Sequence, residues 1–337
     1  MNWQVGRMLH TRLLGVIVVG AVTWIGVTGL YAQTVPESGP LSTLTIEELP
    51  SRMTRPVISG LSVESQGRYL AAAGDDHVVR IWDGNSGALL HRLEGHTGWV
   101  RACSFSPTGE MLASAGQDRR IYLWDPVTGR QIRQLPQVPA ALNAIAFSPD
   151  GQILAAGGFE NQFRLFDVAT GEVLQTVEAA ERDVRAIAFS ADGQLVAAAG
   201  TGGRIRIVGS NGSVSAQDLP GDGRTVEALA FRQDGLQLAS AGAGDSICLW
   251  DVARGSLAGR VPSRPGKVMA LCYCGSNRLA AGGSYNTIRI YDTLTGGEAL
   301  RLVGHTGSVS TLVFDMSGGR LISGSFDTTV RIWAGGR

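Results

Sequence analysis

The sequence predicts an all-β chain built from seven copies of one four-stranded unit, and three observations predict it. The first is a returning marker, an aromatic residue followed by Asp: "RIWD" (80–83), "YLWD" (122–125), "RLFD" (164–167), "CLWD" (248–251) and "RIYD" (289–292), with "RIVG" (206–209) and "RIWA" (331–334) as degenerate copies. The marker positions are Trp82, Trp124, Phe166, Val208, Trp250, Tyr291 and Trp333, each 42 residues after the last except for one step of 41. A period of this size held over seven copies marks a repeat architecture. The second is a common internal grammar. An alternating apolar run such as "LNAIAFS" (142–148) leads into a turn such as "SPDG" (148–151) or "SADG" (190–193), where Gly supplies the positive φ that tight hairpins need. A small-residue strand ("QILAAGG", 152–158) follows, then the marker strand, then a short fourth run such as "EVLQTV" (172–177). The third is that no stretch of the repeat region sustains a 3.6-residue apolar period.

Composition narrows the function classes. Hydrophobic residues make up 44% and charged residues 17%, enough apolar material for a core. Twenty-nine basic residues balance 29 acidic ones, so no positive field draws nucleic acid, which is not expected as a partner. Cys103, Cys248, Cys272 and Cys274 match no zinc or redox spacing and read as buried reduced thiols. Of the five histidines, His10 lies in the leader, His77 and His91 stand singly, and His96 and His305 belong to a repeated constellation. No metal cluster and no cofactor follow from this set.

The N-terminus reads as a targeting segment. Arg7 and Arg12 precede an uncharged run, Leu13 to Leu30, and Ala32 offers a cleavage point. That run of 18 residues is near the minimum for a bilayer span, so both a cleaved signal and a retained anchor fit. Either fate places the chain after Gln33 outside the cytoplasm, periplasmic or secreted. A membrane enters only if residues 13–30 stay as an anchor. Residues 33–43 read as a linker and 44–337 as the repeat domain, with units ending near 83, 125, 167, 209, 251, 292 and 334.

His96, Ser114 and Asp118 are the residue types of a nucleophilic triad, but the same three return as His305, Ser323 and Asp327. In both copies they stand 28, 10 and 6 residues before the Trp. A constellation copied in register with the strands belongs to the fold, and neither serine sits in a GxSxG elbow. The "GH…WD" spacing, Gly95-His96 to Trp124-Asp125, resembles the WD40-repeat family over roughly residues 44–337, here read as an exported bacterial-type member. The resemblance implies a seven-bladed β-propeller of four-stranded antiparallel blades. It also implies that His96, Ser114, Asp118, Trp124 and His305, Ser323, Asp327, Trp333 are structural tetrads.

Other blades depart from the pattern. Blade one keeps Asp76 and Trp82 but has Ala72 and Thr54 at the Ser and His positions. Blade three has Glu160 and Phe166; blade five keeps Ser240 and Trp250, with Gly244 at the Asp position. Blades four and six lack the network and are expected to rest on apolar packing, blade four with Val208 being the weakest. The seventh unit has no outer strand of its own, so "LTIEEL" (44–49) is expected to supply it and lock the ring.

The family resemblance places interaction residues on the face where each innermost strand begins and just before each tetrad Asp. In register, the candidates for a partner-binding face are Trp99, Arg101, Asn143, Phe159, Asp183, Arg185, Glu227, Lys267, Met269 and Phe326. Trp and Arg are favoured anchors in protein interfaces. The expected function is a non-catalytic scaffold for a protein or peptide. The alternatives are an enzyme or glycan-binding protein using Asp183, Glu227 and the nearby basic residues at the channel mouth, and a cytoplasmic scaffold whose leader is misread. Short loops and an even period argue against an enzyme.

Overall fold

A computed structural model describes residues 35–45, 56–211, 216–263 and 266–335. The leader and Thr54 lie outside the described residues. No helix among the described residues is long and apolar enough to cross a membrane. The strands form seven sheets, each with four antiparallel strands and one with an added edge strand, arranged as the blades of a propeller. The innermost strands are Ile58–Val63, Val100–Phe105, Leu142–Phe147, Ala186–Phe189, Val226–Phe231, Val268–Tyr273 and Val309–Asp315. Each touches the next, and the seventh touches the first.

The residue pattern explains the wedge. Second strands such as Tyr69–Gly74 and Leu195–Ala199 carry runs of buried alanine, which let neighbouring blades approach. At Gly324, a β-carbon would lie 2.6 Å from Ile58 Cγ2 of blade one, so only glycine fits that seam. Farther from the channel the blades diverge, and the marker residue of the third strand fills the space: Trp82, Trp124, Phe166, Trp250, Tyr291 and Trp333 are all buried. Blade four has Val208 there, and its innermost and outermost strands shrink to Ala186–Phe189 and Gln217–Leu219.

The N-terminal segment closes the ring. Ser42–Thr45 pairs antiparallel with Thr329–Ala334 of blade seven, setting Leu44 opposite Val330. The strand therefore begins two residues before the expected 44–49, and residues 46–49 lie outside the described ones. Leu44 sets the register by packing on the cluster of Val330, Ile332 and Trp82. A second strand, Glu37–Ser38, adds parallel to Glu298–Leu302 of blade six. The segment read as a linker thus contributes strands, because edge pairing uses backbone groups and needs no particular side chain.

Both tetrads form closed polar chains. In blade two, Trp124 Nε1–H donates to Ser114 Oγ at 2.8 Å, and Ser114 Oγ and His96 Nε2 are 2.8 Å apart. His96 Nδ1 lies 2.8 Å from Asp118, which also accepts the Thr97 and Arg120 amides. Blade seven repeats this with Trp333, Ser323, His305 and Asp327 at 2.7–2.8 Å. The two serines are fully buried and bonded on both sides, so neither hydroxyl meets a substrate. Blade five holds half a tetrad, Trp250 Nε1–H on Ser240 Oγ, beside a void of about 10 Å³ at the missing imidazole. That volume is room for about one water.

Elsewhere the Asp position finds another partner. In blade one Asp76 pairs with Arg80 four residues on, at 2.6 Å and fully buried; in blade three Glu160 pairs with Arg164 in the same register. Blades four and six do not rest on apolar packing alone: Arg206 pairs with Asp218, and Arg289 stacks on Tyr285. In blades one and three the sequence signal was an acid followed by Arg four residues later, Asp76 with Arg80 and Glu160 with Arg164. The four thiols are free; Cys103 and Cys248 are buried, but Cys272 and Cys274 are only half-buried. They alternate with Tyr273 at the end of an innermost strand, where burial is incomplete.

Acid should loosen blades two and seven. Burial pushes the Asp118 and Asp327 carboxyls up, but the hydrogen bonds from His96 and His305 and from neighbouring amides outweigh it, holding both below the ordinary carboxylate range. A depressed folded pKa gives stability that is complete above the unfolded value, about 4, and is lost as pH falls toward the folded value. Melting temperature measured from pH 6 to pH 2 should fall below about pH 4, and the fall should be shallower in the double variant Asp118→Asn/Asp327→Asn. An equal slope in both proteins would remove these carboxylates as the cause.

Candidate functional site

The site is the mouth of the central channel where the innermost strands begin. In six blades the second residue of that strand is a β-bulge: Ser59, Arg101, Asn143, Glu227, Met269 and Ser310 are skipped in the pairing register. A bulge breaks the ladder locally and re-aims a side chain. Blade four places Arg185 at the same position, immediately before its innermost strand. These seven residues, one per blade, ring the mouth. Phe159 and Phe326 reach the same rim because their amides donate to the carbonyls of Ala141 and Ser308 at the start of the innermost strand.

A cavity of about 180 Å³ results, lined by Ser59, Arg101, Asn143, Phe159, Arg185, Glu227, Met269, Ser310 and Phe326. Seven of the ten residues expected on the partner face therefore meet at one cavity. Trp99, Asp183 and Lys267 do not line it. Trp99 packs beneath Arg101, Asp183 is engaged by Arg185, and Lys267 reaches toward Glu227 at 2.7 Å. Ser59 and Ser310, at the same register position in blades one and seven, complete the lining. Their hydroxyls donate to the carbonyls of Val100 and Ile58 at 2.6 Å, tying blade one to two and blade seven to one.

The mouth is electrostatically two-sided. On the side of blades four to six, Arg185 Nε donates to Asp183 at 3.0 Å and Arg185 Nη1 to Glu227 at 2.8 Å. Burial pushes the Asp183 carboxyl up, but the Thr201 amide and hydroxyl and the Arg185 guanidinium hold it below the ordinary range. The side of blades two and three is aromatic. The Arg101 guanidinium lies over Trp99 at 4.6 Å and over Phe159 at 5.4 Å. Burial, then the charge of Arg185, lowers the Arg101 pKa, although arginine remains charged. Phe159 and Phe326 are 48% and 42% exposed, and both line the one cavity. Among the described residues, no three His, Cys, Asp or Glu side chains gather as a metal site.

A WD40 profile (WD domain, G-beta repeat) matches residues 48–83, 87–125, 129–167, 171–208, 213–251 and 297–334, well over half of the chain. The chain belongs to the WD40 family. Blade six of this WD40 propeller is the one the profile passes over, and it carries Tyr291 in place of Trp and no His–Ser–Asp set. The chain is 43% identical to the Protein transport protein SEC13 of Coccidioides immitis over 63 residues, 18% of this chain and 21% of that protein. It is 44% identical to the Nuclear distribution protein PAC1 of Mycosarcoma maydis over 46 residues, 14% of this chain and 10% of that protein. It is also 36% identical to the Cilia- and flagella-associated protein 52 of Mus musculus over 50 residues, 15% of this chain and 8% of that protein. These matches span about a fifth or less of each relative, and the relatives are eukaryotic.

Proposed function

We propose that this WD40 propeller is a non-catalytic scaffold that binds a protein or peptide at the mouth where its innermost strands begin. The observation that carries this reading is the bulge ring with two half-exposed phenylalanines, Phe159 and Phe326, on opposite sides of one cavity. Exposed aromatics around a partly polar centre are the composition of an interface core. The carboxylates that an enzyme would use, Asp183 and Glu227, are both held by Arg185. A general acid needs a raised pKa, and Asp183 is lowered. We further propose that this scaffold is exported in a bacterial-type form, either released or anchored; the basic Arg7 and Arg12 ahead of the apolar run Leu13 to Leu30 support that reading.

Affinity capture with the tagged full chain tests the reading, beside the variant Phe159→Ala/Phe326→Ala. A partner held by the first and reduced at least tenfold by the second is expected; a partner held equally by both would move the binding surface elsewhere. Fractionation of the tagged chain with N-terminal sequencing tests the location. Recovery in the cytoplasm with residues 1–33 intact would overturn it.

A further inference from the structure

The channel mouth contains the same arginine position twice, once with its anions and once without them. Arg185 of blade four and Arg101 of blade two occupy one register position, 84 residues apart, or two blade periods. Arg185 finds Asp183 two residues before it and Glu227 one blade on. The corresponding neighbours of Arg101 are Trp99 and Asn143. Neither carries charge. Among the described residues Arg101 makes no ion pair and no side-chain hydrogen bond, and its Nε is buried without a partner. A half-buried guanidinium normally finds a carboxylate, since leaving its donors unmade is costly. The flat faces of Trp99 and Phe159 hold this one in place, which fixes its position without satisfying its donors.

We infer that Arg101 binds a carboxylate supplied by the partner, an acidic side chain within a peptide that enters the channel mouth. This rests on the platform reading above and names the chemistry the platform selects. Arg185 shows the form of the missing contact, a guanidinium met by carboxylate oxygens at 2.8 to 3.0 Å. Two features select a peptide side chain over a free small molecule. The cavity holds about 180 Å³, below the roughly 300–1,000 Å³ of small-molecule pockets. Phe159 of blade three and Phe326 of blade seven also stand on either side of blades one and two, so apolar residues before and after the acid each find a ring. The aromatic pair does not serve as a receptor for a cation, because Arg101 already occupies the Phe159 face.

The test uses a random heptapeptide library fused at its C-terminal ends, so that only side-chain carboxylates are offered, panned against the full chain. The strongest binder and its Glu→Gln or Asp→Asn form are then titrated by fluorescence anisotropy onto wild type, Arg101→Gln and Arg101→Lys, each checked by thermal melting. Binders should share one acidic position flanked by apolar residues. The amide form should bind wild type about tenfold or more weakly, bind Arg101→Gln within about twofold of the acid, and lose an intermediate amount on Arg101→Lys. Binders without a fixed acid, or an acid preference that survives Arg101→Gln, would overturn the inference. If such binders are still weakened by Phe326→Ala, the platform stands while the acid selectivity falls. A library that enriches no peptide overturns both.

Discussion

Replacing Trp333 by alanine is expected to lower the stability of the ring by about 3–5 kcal/mol, a large share of the roughly 5–15 kcal/mol that holds a domain folded. Trp333 is fully buried in a cluster that joins Ile288 and Leu302 of blade six to Val309 and Leu321 of blade seven. Its removal opens a cavity between two blades and takes the indole donor from Ser323 Oγ. The position also matters for closure, since the same third strand, Thr329–Ala334, carries the N-terminal strand Ser42–Thr45. Trp333→Phe separates the contributions: it keeps most of the packing and should cost about 1–2 kcal/mol through the lost N–H and the smaller ring. Thermal and urea unfolding of the three proteins measure both steps. A Trp333→Ala melting point within two degrees of wild type would mean that the seam of blades six and seven does not limit the stability of the ring.

The blade count was legible because the residues that define a blade are chemically distinctive and evenly spaced. Trp124 and Trp333 recur with their His, Ser and Asp partners, and the Gly that ends each first hairpin recurs with them; Gly109, Gly151, Gly193 and Gly235 all adopt positive φ. Ring closure was legible as a need, an open edge on blade seven. Its register was not, because backbone pairing leaves only Leu44 to mark it. The Glu37–Ser38 strand had no apolar pattern at all to announce it. The channel mouth was legible in part. Residue types at the right register named Arg101, Asn143, Phe159, Arg185, Glu227, Met269 and Phe326, but a β-bulge has no signature in one sequence. Whether Trp99 faced the cavity or lay under Arg101 depended on that bulge. The contrast between Arg101 and Arg185 was likewise hidden in the sequence, since a partner one blade away is 42 residues distant in the chain, as Glu227 is from Arg185.

Asp76→Ala is expected to cost about 3–5 kcal/mol, because it strands a buried guanidinium. Arg80 is 1% exposed, and Asp76 is its only ion-pair partner among the described residues. Its Nε and Nη1 already lack hydrogen bonds, so no spare contact compensates. The double variant Asp76→Ala/Arg80→Met should recover most of the loss, since a buried pair and an apolar replacement of similar size are often close in stability. A remainder of about 1 kcal/mol should persist, because Asp76 also accepts the Val78 amide in the hairpin turn. Glu160→Ala in blade three is the control. Its pair with Arg164 has the same spacing, but the side chains are 17% and 13% exposed, so the stranded arginine keeps some water and the cost should be about 1 kcal/mol. Urea unfolding of the three variants beside wild type decides the matter. If the double variant is as unstable as Asp76→Ala, the damage comes from the turn and not from the stranded charge. If it recovers, the acid before the third strand is the fixed point of the blade and its cationic or imidazole partner is interchangeable. His96 then fills in blade two the place that Arg80 and Arg164 take in blades one and three, and in blade seven Asp327 meets both His305 and Arg331 four residues on. Blades one and three would owe their order to that exchange of partners and not to apolar packing alone.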